Sequence, residues 1–303
     1  MRVPKTLPDR LLSFLPEATT DMEWYVILLI VIGSVLTVSV ALWLFLIGTQ
    51  SKKGCPTLKN YKYAHRGLHG EGRGVFAGEP YAAENSMTAF RRAIRAGYGI
   101  EIDVHTSKDG IVVIHHDASL KRVAGVDGNV KDFTAEELSR LSLSGTADGV
   151  PTLKEFLSEV NGQVPILIEI KEEGSDHTIT EALLREMSGY TGEYFIQSFN
   201  PLSLGVVKKL APKIPRGFLC DKHTQDPKYR SFKYRLLQRL LLNAVCRPHF
   251  ISMEMTRAGL FPLPIVKKLF SPEVICWTVR SEDEAKRAYE SGFATIIFEG
   301  FNA

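Results

Sequence analysis

The sequence predicts an α/β protein built as a TIM-like (β/α)8 barrel with an inserted β-hairpin, preceded by one N-terminal transmembrane helix. Three observations lead to this fold class. Residues 24–47 form one uncharged apolar run. Residues 48–303 alternate between short β-branched runs and helical patterns, which is typical of βα units around a parallel sheet, and their number is close to the ~250 residues of such a barrel. The dipeptide Asp109-Gly110 separates two extended runs and indicates the hairpin.

The apolar run at residues 24–47 predicts a membrane anchor. At ~1.5 Å per residue it is long enough, as a helix, to cross a hydrocarbon core of about 30 Å. Trp24 and Trp43 lie near its two ends, where aromatic residues meet the membrane interfaces. The alternative is a cleaved signal peptide. We disfavour it because the run is too long, residues 1–23 precede it, and no small-x-small cleavage site follows it.

Basic residues near this run predict its orientation and complete the division of the chain. Four lysines follow the run closely, and two basic residues precede it: Lys52, Lys53, Lys59 and Lys62, against Lys5 and Arg10. The positive-inside rule therefore places the C-terminal domain in the cytoplasm. We expect an N-terminal tail at 1–23, a transmembrane helix at 24–47, a linker at 48–60 and a barrel domain at 61–303.

The alternation after the linker predicts the elements of the barrel. Eight runs favour strands: 61–66, 99–104, 165–170, 193–198, 215–219, 249–253, 274–279 and 294–298. Seven patterns favour helices: 86–96, 152–160, 178–187, 202–210, 230–245, 262–270 and 281–290. Eight strands of this kind make closure into a barrel the expected architecture.

The predicted hairpin determines which residues are neighbours. If Asp109-Gly110 is a two-residue loop, counting back along both strands places Asp103 opposite His116. Paired residues share a face, so Asp103 and His116 would be neighbours, with Glu101 on the same face and His115 turned away. A slip of one residue would exchange the two histidines.

Charged side chains occupy one face of two predicted strands. Glu101 and Asp103 alternate with apolar residues on the predicted strand at 99–104. Glu169 and Lys171 do so on the predicted strand at 165–170 and directly after it. In a barrel these charges would point into the lumen near the carboxyl ends of the strands, where barrel active sites lie. Three carboxylates outnumber the one lysine, which favours an oxygen-ligand site for Mg²⁺ or Ca²⁺. The alternative is a structural salt-bridge network.

The first predicted strand ends in His65, Arg66 and Gly67. A histidine and an arginine at that end suit a general acid or base and an anion clamp. Asn85 or Ser86 is expected to cap the following helix. The remaining histidines receive no role: His69, His105, His177, His223 and His249.

Charge and cysteine content exclude other classes of function. The net charge is only +3 and the lysines are scattered, which argues against a nucleic-acid partner. The four cysteines lie far apart without a C-x-x-C pair, so a zinc knuckle or a thioredoxin-type motif is excluded: Cys55, Cys220, Cys246 and Cys276.

Taken together, these motifs resemble the glycerophosphodiester phosphodiesterases, in a membrane-anchored bacterial form. The residues that carry the resemblance are His65-Arg66-Gly67, Glu84-Asn85-Ser86, Glu101-Ile-Asp103, Lys108-Asp109-Gly110, His116-Asp117, Glu169-Ile-Lys171, Gln197-Ser198-Phe199 and Trp277-Thr278-Val279. The resemblance implies a TIM-like barrel that hydrolyses glycerophosphodiesters to glycerol 3-phosphate and an alcohol with one divalent cation, Mg²⁺ or Ca²⁺. It also implies a final outer helix, which we expect to be absent because the sequence ends shortly after the last strand.

The resemblance also implies a role for each site residue. The metal ligands would be Glu101, Asp103 and Glu169; the acid/base pair His65 and His116; the phosphate-binding residues Arg66 and Lys171; and the supporting residue Glu84. Two alternative functions stay open. One is a lysophospholipase-D-like enzyme that acts on lysolipids beside the membrane. The other is an inactive barrel that binds lipid headgroups, which is disfavoured because the polar set is intact.

Overall fold

The computed structural model describes residues 18–51, 55–220, 232–259 and 261–303. The chain divides into two compact units, Met1–Phe45 and Leu46–Ala303. Helix α1 begins at Ala18 in the first unit and ends at Ile47, two residues past the boundary. Its side chains from Glu23 onward are mostly exposed. Within the described part of the chain, its segment Glu23–Ile47 is the one helix long and apolar enough to cross a membrane, a property shared by anchors and signal sequences.

The second unit is a closed barrel of eight parallel strands with one additional antiparallel strand. The strands are β1 (Tyr63–Ala64), β2 (Gly99–Thr106), β3 (Val112–Ile114), β4 (Ile166–Ile170), β5 (Tyr194–Ser198), β6 (Arg216–Cys220), β7 (Phe250–Met253), β8 (Glu273–Val279) and β9 (Thr295–Phe298). The spatial order is β1-β9-β8-β7-β6-β5-β4-β2, and pairing of β1 with β2 closes the barrel. Strand β3 pairs antiparallel with β2 outside this circle. The predicted fold class is therefore confirmed.

Helices cover the outside of the barrel between the strands. They are α2 (Met87–Ala96), α3 (Lys121–Ala124), α4 (Ala135–Ser139), α5 (Leu153–Val160), α6 (Thr178–Met187), α7 (Pro201–Leu210), α8 (Phe232–Gln238), α9 (Asn243–Cys246), α10 (Leu263–Phe270) and α11 (Glu282–Glu290). Local chemistry explains where several begin. The side chains of Ser86, Thr152 and Ser281 each accept a hydrogen bond from a backbone amide in the first turn, which satisfies a donor that the helix cannot.

One predicted helix differs from the structure. The pattern at 230–245 predicts a single helix, of which residues 230 and 231 lie outside the described residues. The rest forms two short helices, α8 and α9, separated at Leu240, whose φ is 57°. A residue in the left-handed region cannot continue a right-handed helix, so the chain turns at this point.

The lumen of the barrel is filled by apolar side chains. A buried cluster combines aromatic and aliphatic residues of the strands: Tyr63, Leu167, Phe195, Phe250, Ile275 and Ile297. Gly217 makes room for it, since a Cβ on Gly217 would come within 1.9 Å of the Phe250 ring. Two residues further along β4 the side chain on the same face is Glu169, and two residues beyond Ile297 it is Glu299. The polar site therefore lies directly above an apolar floor.

The hairpin forms, but its predicted register is wrong by one residue. Val104 pairs with Ile114, so Asp103 lies opposite His115 rather than His116. The physical reason is a three-residue loop that ends at Gly110, which has φ 78° and donates to the carbonyl of Ser107 at 3.0 Å. A loop of this kind, with its last residue in the left-handed region, shifts the pairing by one position relative to a two-residue turn.

Candidate active site at the carboxyl ends of the strands

Three carboxylates meet where β2 and β4 pair. Glu101 and Asp103 lie on β2, and Glu169 lies on β4 in register with Asp103. Oxygen atoms of the three groups lie within 4.8 Å of one another, and all three residues are buried. Burial, followed by repulsion from Asp103 and Glu169, raises the pKa of Glu101 well above its usual range. An arrangement this unfavourable for three anions suits a divalent cation with oxygen ligands.

Two cationic side chains offset part of this negative charge. Lys171 Nζ lies 2.9 Å from Asp103 Oδ1 and 2.5 Å from Glu169 Oε1. Arg66 Nε lies 3.5 Å from Asp103 Oδ2. Burial acts to raise the pKa of Asp103, but Lys171, His116 and Arg66 outweigh it, so this pKa lies below its usual range. Burial outweighs Lys171 at Glu169 and raises the pKa of that group to about 6.

Two residues after β1 donate hydrogen bonds to the carboxylates of the site. Arg66 and Asn85 both have φ 54°, in the left-handed region. The amide of Arg66 donates to Glu101 Oε2 at 3.0 Å, and Asn85 Nδ2 donates to Asp103 Oδ2 at 2.9 Å. From the sequence, Asn85 or Ser86 is expected to cap the following helix. In the structure Ser86 is the cap, and Asn85 instead binds Asp103.

His65 is oriented by Glu299, which was not among the predicted site residues. The Nδ1 atom of His65 lies 2.6 Å from Glu299 Oε2. The hydrogen bond to His65 is the main reason that the pKa of Glu299 lies below its usual range. Burial lowers the pKa of His65 despite this partner. Alternation beyond β9 could have indicated Glu299, since it shares the inward face with Ile297.

His116 also reaches the site, by a route different from the predicted register. Strand β3 ends at Ile114, so the side chains that follow no longer alternate across the ribbon. His116 lines the central cavity, and its Nδ1 lies 2.6 Å from Asp117 Oδ1. Burial lowers the pKa of His116, although Asp103 acts in the opposite direction. His115 is buried, and its Nδ1 lies 2.8 Å from the carbonyl of Asp117.

A chain of ion pairs joins His116 to Arg66. Asp117 Oδ2 accepts from Arg122 Nε at 2.6 Å, and Arg122 makes two hydrogen bonds of 2.7 and 2.8 Å to Glu84. Glu84 Oε1 also accepts from Arg66 Nη1 at 2.8 Å. Burial opposes ionisation of Glu84, but Arg122 and Arg66 outweigh it and lower its pKa to about 2. Arg122 and Asp117 were not predicted as site residues.

A cavity of about 740 Å³ opens beside these groups. Its polar side includes His116, Glu169, Lys171 and also His105, whose Nε2 lies 3.2 Å from the carbonyl of His116. Burial lowers the pKa of His105 to about 4. Apolar side chains also line the cavity, among them Phe218, Leu219, Leu237 and Trp277. The cavity can therefore contact both a charged and an apolar part of a ligand.

All eight predicted site residues gather in this region. They come from the ends of β1, β2 and β4 and from the segments after β1 and β3: His65, Arg66, Glu84, Glu101, Asp103, His116, Glu169 and Lys171. A barrel that collects buried acids, bases and cations at the carboxyl ends of its strands has the arrangement of a TIM-barrel enzyme.

Comparison with known proteins names the family within this class. Residues 65–301 match the model of the glycerophosphoryl diester phosphodiesterase family. A glycerophosphodiester phosphodiesterase of Caldanaerobacter subterraneus is 30% identical over 229 residues, which cover 71% of this chain and 87% of that protein. A lysophospholipase D of Rattus norvegicus is 36% identical over 121 residues, 36% of this chain and 35% of that protein.

A solved structure shows the same fold. It is an Oleispira antarctica phosphodiesterase in complex with the product sn-glycerol-3-phosphate, with a TM-score of 0.63 and 23% identity over 78% of this chain and 91% of that one. The chain therefore belongs to the glycerophosphoryl diester phosphodiesterase family and is a phosphoric diester hydrolase of that kind.

Proposed function

We propose that the chain hydrolyses glycerophosphodiesters to glycerol 3-phosphate and an alcohol in a metal-dependent reaction with two histidines as acid and base. One observation carries the proposal. Three buried carboxylates within 4.8 Å of one another lie beside two histidines that are each oriented through Nδ1 by an acidic side chain. This combination supplies a cation site and two proton-transfer groups in one place.

Glu101, Asp103 and Glu169 would hold the cation, Mg²⁺ or Ca²⁺. The fit rests on their shared burial and on the raised pKa of Glu101, which burial causes and the two neighbouring carboxylates increase. A bound divalent cation supplies Lewis-acid stabilisation for charge that develops on the phosphate oxygens. Asn85 keeps Asp103 in place through its 2.9 Å hydrogen bond.

Arg66 and Lys171 would bind the phosphate. Both lie against Asp103, and Glu84 holds the Arg66 guanidinium from its far side at 2.8 Å. Burial works against the charge on Lys171, but Asp103 and Glu169 raise its pKa, so the ammonium group is retained. Two fixed cations beside the acidic groups would select an anionic ester and orient it.

His65 and His116 would transfer protons at Nε2, because Nδ1 of each ring faces an acidic partner. A neutral ring that donates Nδ1–H to a carboxylate presents an unprotonated Nε2, which can accept a proton from the nucleophile. The nucleophile is water or the neighbouring glycerol hydroxyl. The second ring gives its Nε2 proton to the departing alkoxide. The assignment of acid and base between the two rings stays open.

The chain would act at a membrane. We propose that residues 24–47 are a retained anchor, residues 48–60 a linker and residues 61–303 the catalytic domain, which faces the cytoplasm. The exposed apolar side chains of α1 and the lysines that follow it support this organisation.

A lysolipid is the second candidate substrate. It is favoured by the apolar residues Phe218, Leu219 and Leu237, which line the same cavity as Glu169 and Lys171. The acyl chain of a lysolipid would lie on these residues while the phosphate of the lysolipid contacts Lys171. Hydrolysis of lysolipids in preference to water-soluble glycerophosphodiesters would support this candidate.

One experiment tests the proposed chemistry. The full chain in detergent is assayed on a panel of glycerophosphodiesters and lysolipids, with and without EDTA, for release of the headgroup alcohol. Its co-product is glycerol 3-phosphate from a glycerophosphodiester and the acylated glycerol phosphate from a lysolipid. We expect activity that EDTA abolishes and excess Mg²⁺ or Ca²⁺ restores, and its loss in Glu169→Gln. Glu290→Gln, on exposed helix α11, is the matched control. Full activity in EDTA or in Glu169→Gln would contradict the metal assignment.

A further inference from the structure

A second group of metal-binding type lies beside the carboxylates. It consists of His65, His69 and Glu299, whose ligand atoms lie within 4.8 Å of one another. Glu299 Oε2 is the centre of the group, 2.6 Å from His65 Nδ1 and 3.7 Å from His69 Nε2. The group therefore offers two imidazole nitrogens and one carboxylate oxygen, in contrast to the all-oxygen set of the three carboxylates.

The two carboxylate oxygens of Glu299 have separate partners. Its Oε1 is held by Arg280 Nη2 at 2.8 Å, which leaves Oε2 directed toward the two histidines. His69 Nε2 is shielded from solvent and makes no hydrogen bond within the part of the chain that the structure describes. The distance of 3.7 Å to Glu299 is beyond hydrogen-bond range. A shielded nitrogen beside a carboxylate without a hydrogen bond is costly unless something else binds it.

We propose that His65, His69 and Glu299 form an inhibitory Zn²⁺ site. Zn²⁺ prefers imidazole and carboxylate ligands, whereas Mg²⁺ and Ca²⁺ prefer oxygen alone. Ligand bonds of about 2.0–2.2 Å at tetrahedral angles place neighbouring donor atoms about 3.3 Å apart. The observed separations from Glu299 Oε2, 2.6 and 3.7 Å, lie on either side of that value. Small side-chain movements would complete three ligands and leave the fourth position to water.

Occupancy of this site would stop catalysis through His65, an inference that rests on the proposed role of that residue. Zn²⁺ on Nδ1 displaces the Nδ1 proton and breaks the hydrogen bond to Glu299. The metal-bound ring then carries its one proton on Nε2. It can no longer accept a proton there, and it releases the one it has with difficulty. Both possible roles of His65 are lost.

The test measures zinc binding and inhibition separately. The full chain in detergent is kept in saturating Mg²⁺, and Zn²⁺ is added while bound zinc is counted by equilibrium dialysis and turnover is followed. The variant is His69→Gln, which removes a ligand outside the proposed catalytic groups. The control is His177→Gln, since His177 Nδ1 also lies beside a carboxylate, 3.5 Å from Glu172, but outside the group formed by His65, His69 and Glu299.

We expect wild type and His177→Gln to bind one zinc ion more than His69→Gln and to be inhibited by it. His69→Gln should keep its turnover without zinc. The inhibition constant of zinc for this variant should be at least about tenfold higher. Even the loss of a residue that only hydrogen-bonds to a metal ligand lowers metal affinity by about that factor. Equal zinc stoichiometry in His69→Gln and wild type would overturn the site. Lost binding with unchanged inhibition would overturn the inhibitory role. An enzyme inactive on every glycerophosphodiester without zinc would contradict the proposed function, while the stoichiometry would still decide the site.

Discussion

The backbone amide of His115 donates a 3.0 Å hydrogen bond to the carbonyl of Asp103, yet it is His116 that lines the cavity. The pairing belongs to the hairpin between β2 and β3. Strand β3 ends at Ile114, one residue before His115, and the chain bends at His116. The bend, rather than the strand register, therefore separates the buried His115 from His116, which lines the cavity.

The first prediction distinguishes these two adjacent histidines. His116→Ala should lower turnover by about 10²–10⁴-fold, the usual loss when a positioned acid or base is removed. His115→Ala should lose much less, because its ring is buried and its Nδ1 faces the Asp117 carbonyl. Steady-state kinetics of both variants, with circular dichroism to verify folding, makes the comparison. An inactive His115→Ala beside an active His116→Ala would contradict the placement.

The leaving group then assigns the two roles. The leaving group of a p-nitrophenyl ester is p-nitrophenolate, which departs without protonation. This substrate should therefore restore the rate of whichever variant lacks the general acid, His65→Ala or His116→Ala. The variant that lacks the base should stay slow with the same ester. Equal rescue of both variants would show that the two histidines do not divide the work in this way.

The third prediction concerns Asp117, which faces His116 Nδ1 at 2.6 Å. Asp117→Asn keeps the size of the side chain but removes the charge that stabilises a protonated His116 ring. We expect kcat to fall by about 10–10²-fold, the range for partners that orient a functional histidine, with little change in KM. Asp127→Asn, whose side chain is 88% exposed, is the control. A change in KM alone would show that Asp117 acts on substrate binding instead.

The fourth prediction concerns stability at low pH. Arg122 and Arg66 lower the pKa of Glu84 from 4.5 to about 2 against the opposing effect of burial. A depressed pKa contributes stability above the unfolded value, and this contribution is lost as pH falls through the folded value. The Tm difference between wild type and Glu84→Gln should therefore be largest above pH 4.5 and shrink toward pH 2. A difference that stays constant or grows on acidification would contradict the ion-pair network.

The fifth prediction tests the apolar floor under the site. Gly217→Ala would place a Cβ 1.9 Å from the Phe250 ring, so the core must shift. We expect a loss of about 1–3 kcal/mol, the usual cost of overpacking a filled core, measured by urea unfolding of the full chain in detergent. Gly189→Ala, with no atom within 4 Å of the added Cβ, is the control. Phe250→Leu in the Gly217→Ala background should recover part of the loss, and equal stability of the two glycine variants would exclude the clash.

The sequence alone determined the fold class and most strand positions, because period-two alternation of buried and charged residues is a local property of the chain. Glu101 and Asp103 on one strand and Glu169 and Lys171 on another could be assigned to one face without a structure. The Asp-Gly signal also located the hairpin correctly.

Tertiary structure alone decided the contacts between distant segments. The hairpin register depended on the φ of Gly110, and the break between α8 and α9 depended on the φ of Leu240. The pairing of His65 with Glu299 joins residues 234 positions apart, and Arg122 reaches Glu84 across 38. Alternation could place Glu299 on the inward face of its strand, but no local pattern pairs it with His65 or pairs Arg122 with Glu84, because the fold as a whole, rather than the preference of either segment, brings such partners together.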